Sequence, residues 1–555
     1  MAVNVGAMKV VAITDKKGSA IDRLARMNEK RLPHLRYTVC TLHPKRPSPE
    51  EIDTIKKELE GADLLDVQYW KSGVKLLQMF PNAVTIPSVL THHNEHNIHD
   101  TDKDHWGWKD EKWDAHVCKN QWQRDELKKN GIDATLIQHA IEFENFSYAD
   151  TLTKEKVVGD VGQVQKVKGV KYLAQACKEL GYKLLIVGSV SELEEMKELQ
   201  PYWRDGVVET YYPGTLHVPD EEIGRVYHRM RVYCANSDDG TESGTMPILE
   251  AMLSGVPVVT RRIGLVRDCG ENQKNMVVRK GSMQDVEDLK ANLKMVMEND
   301  DVANSLREAA WRTVRQYHPD RQSREYERLF RSVLYPTQVP VSVIMPTCKR
   351  SETLYANIDS IAEQTYKNLE IVICDDNTAA GAAQIMTWLK QNRPRLKVVV
   401  KHVWTGKRDE SVYGLAMARN MGLIEATGDI VVFCDDRLRM HPGAVGAFAQ
   451  KLCDYAKNKE KKVWLWGSKG GFKTFVENFS ATWRRSVIDG GMFNERVDAY
   501  GGMTQEIANR FAAQGFRMEF CPQALAEPMV ATHSRSRHRN DIIKSKVKLY
   551  KMGFQ

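Results

Sequence analysis

The 555-residue sequence has no CxxC pair among its ten cysteines, no apolar run of membrane-spanning length, and little net charge for its size. Each absence excludes something. Without CxxC pairs, the usual paired-thiolate zinc and redox motifs are ruled out. Cys374 and Cys434 fall inside apolar runs, which points to buried free thiols and a reducing, cytoplasmic setting rather than a disulfide framework. The N-terminal stretch MAVNVGAMKVVAITDKKGSA lacks the long apolar core of a secretory signal. No run approaches the ~20 apolar residues of a membrane span, so peripheral contact is the membrane option left open. There is no internal repeat and no low-complexity tract. A formal charge of +7 suits a phosphorylated substrate, an anionic membrane or nucleic acid, and selects none of them. The length exceeds a single core, so two to four domains are expected.

What is present is organised around Thr241–Thr260, TESGTMPILEAMLSGVPVVT. It reads as loop, helix, strand. Thr245 is a natural N-cap, Pro247 fits the first helical turn, and Gly255 stops the helix. A helix start leaves N–H groups unpaired at the positive end of the dipole, which suits a phosphate beside Gly244 and Thr245. From Thr245 to Glu250 the helix rises roughly 7.5 Å, about the reach from a nucleotide's diphosphate to its ribose hydroxyls. Glu250 is thereby placed on the ribose and Glu242 near the group beyond the phosphate. A bare pair of glutamates with seven residues between them also describes a solvated surface helix.

The residues before this stretch form two α/β series. Lys9–Thr14, Tyr37–Thr41, Ala62–Tyr69, Ala83–Thr91, Ala115–Cys118 and Ala134–Gln138 read as strands of a first parallel sheet. Ligands gather at the carboxyl ends of such strands. The loop there, from Thr91, holds five histidines between His92 and His105; hydrogen-bonding histidines are favoured over a metal site. A second series starts near Lys156, with strands at Val157–Val161 and Leu184–Gly188 and a helix opening after Lys168-Gly169. The pattern from Asp301 to Leu334 is helical.

Together, Asn236 to Glu242, Leu249 to Met252 and Gly255 to Val259 resemble the donor-site signature of family 4 retaining glycosyltransferases of the GT-B fold. The resemblance implies two Rossmann-like lobes, 1–150 on the acceptor side and 151–335 on the donor side. It further implies a nucleotide sugar, UDP- or GDP-linked, a metal-independent reaction, and a histidine lining the sugar pocket, best matched by His92 with His93 as the ambiguity. Lys168 matches one of the two cations that hold the donor diphosphate. Gln163 stands where the family has the other, and His139-Ala140-Ile141-Glu142 alters the usual Asn-Gly-Ile-Asp.

After a Pro-bearing linker at Tyr335–Pro340, a third α/β unit begins. Val341–Thr347 is a strand ending in a Pro-Thr turn. Leu369–Cys374 and Ile430–Cys434 are strands ending in Asp375-Asp376 and Asp435-Asp436. A single Asp-Asp reads as a turn. Two pairs at strand ends point into one crevice and suit a divalent cation bridging phosphates. This region resembles family 2 glycosyltransferases of the GT-A fold through Val341–Thr347, Glu370–Asp376, Ala418-Arg419-Asn420, Ala426–Asp436 and Trp483–Glu495. The resemblance implies a metal-dependent, inverting domain over 341–532 that uses Mn2+ or Mg2+. Thr347, Asp375 and Arg419 are then donor-binding, and Asp435, Asp436 and His533 metal-binding. Where the family places its acidic base after a Gly-Gly, this chain has Met503 and Thr504, neither of which is a base near neutral pH. Glu506 takes the role, or the domain has lost transfer activity.

The tail at 533–555 carries seven Lys or Arg against one Asp from Arg535 on. It reads as a solvated run, or as a contact for nucleic acid or anionic lipid. The function implied is a tandem glycosyltransferase. Its acceptor is a glycan or glycolipid, or a hydroxymethylated base of viral DNA. A sugar-nucleotide or glycan-binding scaffold without turnover is the reading from another class.

Overall fold

The computed structural model describes residues 8–93, 107–188, 192–211, 218–238, 246–349, 351–392, 395–396, 398–406, 414–497 and 502–530. The chain divides into two compact units. One comprises Val10–Pro33 and Tyr37–Tyr326; the other runs from Glu327 onward and takes in His34–Arg36.

The first unit holds two six-stranded sheets. Strands β1 (Lys9–Thr14), β2 (Arg36–Thr41), β3 (Leu64–Val67), β4 (Ser88–Thr91), β5 (Ala115–Cys118) and β6 (Ala134–Leu136) lie in the order β2-β1-β3-β4-β5-β6. Strands β7 (Val157–Val161), β8 (Lys183–Val187), β9 (Val208–Tyr211), β10 (Val232–Ala235), β11 (Val258–Thr260) and β12 (Val277–Val278) follow in the order β12-β11-β10-β7-β8-β9. The pairings β3–β4, β4–β5, β7–β8 and β10–β11 are all parallel. Helices cover both faces of such sheets, which is why β7, β10 and β11 are buried along their length.

Several expected elements shift. The strand expected over Ala83–Thr91 is only Ser88–Thr91, because Pro81–Thr85 closes a 3-10 turn. The helix Asp220–Tyr227 precedes β10. The helical pattern expected from Asp301 to Leu334 forms two helices, Asp300–Val314 and Pro319–Leu334. His318, held extended at ψ 136°, breaks them, as a residue before proline is pushed out of the helical region.

The second unit is built on one eight-stranded mixed sheet. Its strands are β13 (Val341–Thr347), β14 (Leu369–Asp375), β15 (Val399–Trp404), β16 (Ile430–Cys434), β17 (Leu438–Met440), β18 (Val463–Lys469), β19 (Phe479–Trp483) and β20 (Arg517–Pro528). Their order is β15-β14-β13-β16-β19-β18-β20-β17. β13, β14, β15 and β16 run parallel, whereas β19 is antiparallel to β16 and to β18. β13, β14 and β16 are buried at every position. The helix Leu415–Glu425 lies against β13 and β14 so closely that a β-carbon at Gly422 would meet Cys374 Sγ at 2.4 Å. All ten cysteines are free, eight of them buried.

A polar network is buried in the same unit. Lys401 Nζ lies 2.8 Å from Glu327 and 2.9 Å from Glu370. Arg331 reaches Glu370 at 3.3 Å and donates to the carbonyls of Val341 and Asn368. His34 Nε2 is 3.1 Å from Glu327. Both glutamates are fully buried, so both depend on Lys401, and Glu370 also on Arg331. No helix among the described residues is long and apolar enough to cross a membrane.

Candidate functional site

In the first unit the helix of the central stretch runs from Met246 to Leu253. Its end is a Schellman turn: Gly255 N–H donates to Met252 O at 3.2 Å and Val256 N–H to Ala251 O at 2.8 Å. Gly255 sits at φ +71°, and a β-carbon there would lie 2.8 Å from Tyr148 and 2.9 Å from Arg307. Arg307 Nε donates to Gly255 O at 2.8 Å, so the helix Asp300–Val314 locks this end in place. Glu250 is buried on the helix and accepts from Tyr227 Oη at 2.7 Å. Burial, with Glu250 second, pushes the Tyr227 hydroxyl well above its usual range, so it acts as a fixed donor. Glu242, Gly244 and Thr245 lie outside the described residues.

Lys168 ends the short turn Lys166–Lys168, and Gly169 takes the left-handed conformation, φ +60°, that opens the helix Val170–Leu180. A β-carbon at Gly162, at the end of β7, would lie 3.5 Å from Lys168 Nζ. Lys168 therefore sits over the carboxyl end of β7. Asn236, at the end of β10, donates to Gly169 O at 3.1 Å and ties the two loops together. Gln163 offers an amide beside Gln165 Nε2 at 3.4 Å, and no charge.

At the end of β4, His92 and His93 part company. His92 is buried, stacked with His116 and edge-on to Trp108, with Nε2 3.1 Å from His116 Nδ1. His93 Nε2 meets Gln68 Oε1 at 2.9 Å, and its ring lies 5.4 Å from His139. The Nδ1 atoms of His92, His93 and His139 have no hydrogen-bond partner among the described residues. Burial holds all three rings well below their usual pKa and His116 at about 4, so they are neutral imidazoles. Beneath His93, Gln68 donates to Asp66 at 2.7 Å, Tyr37 donates to the same carboxylate, and Lys119 Nζ donates to Tyr326 Oη at 2.8 Å. Burial lowers Lys119 to about 7 and raises Asp66 to about 6. This buried acid–base cluster escaped sequence reading. The signal available was His93 beside His92, and nothing local marks Asp66 or Lys119.

In the second unit the strand register sets Thr347 beside Asp375. Thr347 Oγ1 donates to Asp436 Oδ2 at 2.8 Å, and its carbonyl accepts from Asp376 N–H at 2.9 Å. The carboxyl ends of β13, β14 and β16 thus converge. Asp375 is fully buried, accepting from His402 Nε2 at 2.8 Å and from the Asn377 backbone and side chain. Arg419 is buried and donates to Glu477 Oε1 at 3.0 Å, to Asp435 Oδ1 at 3.3 Å and to Met503 Sδ at 3.0 Å. Glu477 also accepts from the Thr504 hydroxyl. Glu506 is buried one turn along and gives both carboxylate oxygens to Arg510, at 2.7 and 3.3 Å. Arg510 in turn donates to Gly490 O and Met492 O. Glu477 is the acidic group sequence reading missed. It precedes β19, and only the β16–β19 pairing brings it here.

Among the described residues, Asp435 and Asp436 are joined by no third metal-binding side chain. His533 lies outside the described residues. Among the described residues no three His, Cys, Asp or Glu side chains come together as a metal-binding group. Asp435 accepts from Arg419 on one oxygen, and on the other from Arg437 Nη2 at 3.3 Å and Asn478 Nδ2 at 2.7 Å. A carboxylate ringed by two guanidinium groups is a poor ligand for a divalent ion, which needs oxygen donors of net negative charge.

Comparison with known proteins fits this arrangement. Residues 143–313 match the family described as glycosyl transferases group 1, and residues 342–458 match glycosyl transferase family 2. Among curated proteins, the chain is 32% identical over 111 residues to a GalNAc(5)-diNAcBac-PP-undecaprenol beta-1,3-glucosyltransferase of Campylobacter jejuni, covering 20% of this chain and 34% of that protein. It is 34% identical over 95 residues to the UDP-Glc:alpha-D-GlcNAc-diphosphoundecaprenol beta-1,3-glucosyltransferase WfaP of Escherichia coli, covering 17% and 34%. The chain thus spans about a third of the length of these relatives. Among solved structures, sucrose-phosphate synthase of Thermosynechococcus elongatus aligns with a TM-score of 0.50 at 15% identity, over 59% of this chain and 99% of that one. That likeness supports the two-lobed fold of the first unit. The chain belongs to the glycosyltransferases, with a group 1 domain of GT-B fold followed by a family 2 domain of GT-A fold.

Proposed function

We propose that this protein is a tandem glycosyltransferase that transfers sugars from UDP- or GDP-linked donors, one donor site to each domain. The observation that carries the reading is the convergence of Thr347, Asp375, Asp376 and Asp436 at the ends of three adjacent strands, beside the second domain's family match. In the first domain, Lys168 and the N–H groups opening the helix at Met246 neutralise the leaving diphosphate and Glu250 holds the ribose, while the family resemblance assigns Glu242 to the sugar. That domain retains the anomeric configuration. His93 supports sugar binding better than His92, because it borders the polar cluster while His92 packs under Trp108.

The second domain inverts. Glu477 beside Thr504 is the carboxylate best placed to take the acceptor's proton, whereas Glu506 positions Arg510. The acceptor is a glycan on a lipid diphosphate, the class that the names of the Campylobacter and Escherichia relatives describe. The work is done at the cytoplasmic face.

The test is nucleotide release from a panel of UDP- and GDP-sugars, with lipid-linked glycan or hydroxymethylated DNA as acceptor. Glu242→Ala and Asp436→Ala are run separately, with Glu477→Gln as a third variant. The expected outcome is two partial losses, each confined to one donor and one linkage, on the lipid-linked acceptor. Turnover untouched by every variant would sink the catalytic reading. Product on DNA alone would replace the acceptor.

A further inference from the structure

The acidic pair after β16 comes with its own cations. Asp435 accepts from two arginines, Arg419 Nη2 and Arg437 Nη2, each at 3.3 Å. Asp436 is held by Thr347, and Glu477 by Arg419 and Thr504. Lys469 Nζ donates to Asn478 Oδ1, and Asn478 donates to Asp435. Asp435 is thus flanked by two guanidinium groups, with the Lys469 ammonium one residue further on through Asn478. A magnesium or manganese site works the other way: carboxylates supply negative charge, and the substrate phosphates supply the rest. Bringing a divalent ion to Asp435 would set it against two guanidinium groups already bonded to the same carboxylate.

The two arginines differ in reach. Arg419 is 1% exposed and braces the floor of the site; Arg437 is 29% exposed on its side chain. A guanidinium carries five N–H donors in a planar fork that matches phosphate oxygens, more than one carboxylate can take. Asp435 orients that fork at the crevice where the strand ends converge.

We propose that Arg437, aimed by Asp435, stands in for the divalent cation at the diphosphate of the nucleotide donor, so that the family 2 domain grips its donor without a metal. The inference rests on the nucleotide-sugar reading above. Its test uses the full chain with Lys168→Ala and Glu250→Ala, which silence the donor site of the first domain. UDP, GDP, ADP and dTDP are titrated calorimetrically in EDTA and again in Mn2+. The expected result is one nucleotide site whose affinity is the same in both. Arg437→Ala weakens it roughly tenfold or more, the worth of a charge-assisted contact, and Arg437→Lys falls between.

A second measurement needs no nucleotide. The electron paramagnetic resonance signal of Mn2+ stays that of the free ion with the parent chain. With Arg437→Asp, which adds a carboxylate beside the pair, it is quenched. Nucleotide binding only in Mn2+, or binding indifferent to Arg437→Ala, overturns the proposal and leaves the nucleotide-sugar reading standing. No nucleotide binding in either condition overturns that reading for this domain, and the proposal with it.

Discussion

Lys119 shows how far a single buried residue is pushed from its ordinary chemistry. Its ammonium is enclosed, with burial drawing its pKa down to about 7 and Asp66, Cys118 and Glu325 acting in the opposite sense. The folded pKa is depressed from 10.5, so above pH 7 the unfolded chain holds more protons at this site. Stability therefore rises with pH from about 7 until Cys118, itself raised from 9.0 to about 12, begins to act in the opposite direction. Below that window Asp66 and His116 oppose one another. Asp66, raised to about 6, favours the fold on acidification, and His116, lowered to about 4, disfavours it. The expected outcome is amide-exchange protection of β4 and β5 that climbs with pH between 7 and 9 and loses that slope in Lys119→Met. An unchanged slope would mean that Lys119 titrates normally. None of this is legible in the sequence, where Lys119 is one of many surface-type residues.

At the scale of elements, the sequence is most legible where one segment carries its own punctuation. The helix Met246–Leu253 has Pro247 inside its first turn and Gly255 beyond its end, and both roles are local. The apolar runs of β13, β14 and β16 announce buried parallel strands for the same reason. Legibility stops at pairing. Arg419 and Glu477 stand 58 residues apart and meet only because β19 folds back antiparallel beside β16. The Gly255 turn makes a direct prediction. Gly255→Ala forces a β-carbon into the left-handed region, at roughly 1–2 kcal/mol, and drives it against Tyr148 and Arg307. A chemical-denaturation midpoint lowered with unchanged slope checks it; a midpoint equal to the parent's would show that the turn relaxes.

At the scale of the whole molecule, the second unit depends on a polar core that its sheet cannot supply alone. Lys401 compensates two fully buried glutamates, Glu327 and Glu370. Lys401→Met leaves both short of a cation and is expected to cost about 3–5 kcal/mol, by analogy with other buried pairs. Differential scanning calorimetry reads it as a lowered transition, and the double variant Lys401→Met with Glu327→Gln should recover part of the loss. The Pro-bearing linker at Tyr335–Pro340 invites a domain boundary there, and the compact unit that holds the second sheet also takes in Glu327–Leu334. The reason is charge pairing across the linker, which leaves no trace in composition. Arg331 alone ties Asn368, Thr427, Val341 and Glu370. A truncated protein that begins at the linker would therefore discard the partners of Lys401 and Glu370 and start life with a hole in its charge balance. To be studied by itself, the family 2 domain has to keep the stretch from Glu327 to Leu334, as a prosthesis for its own sheet.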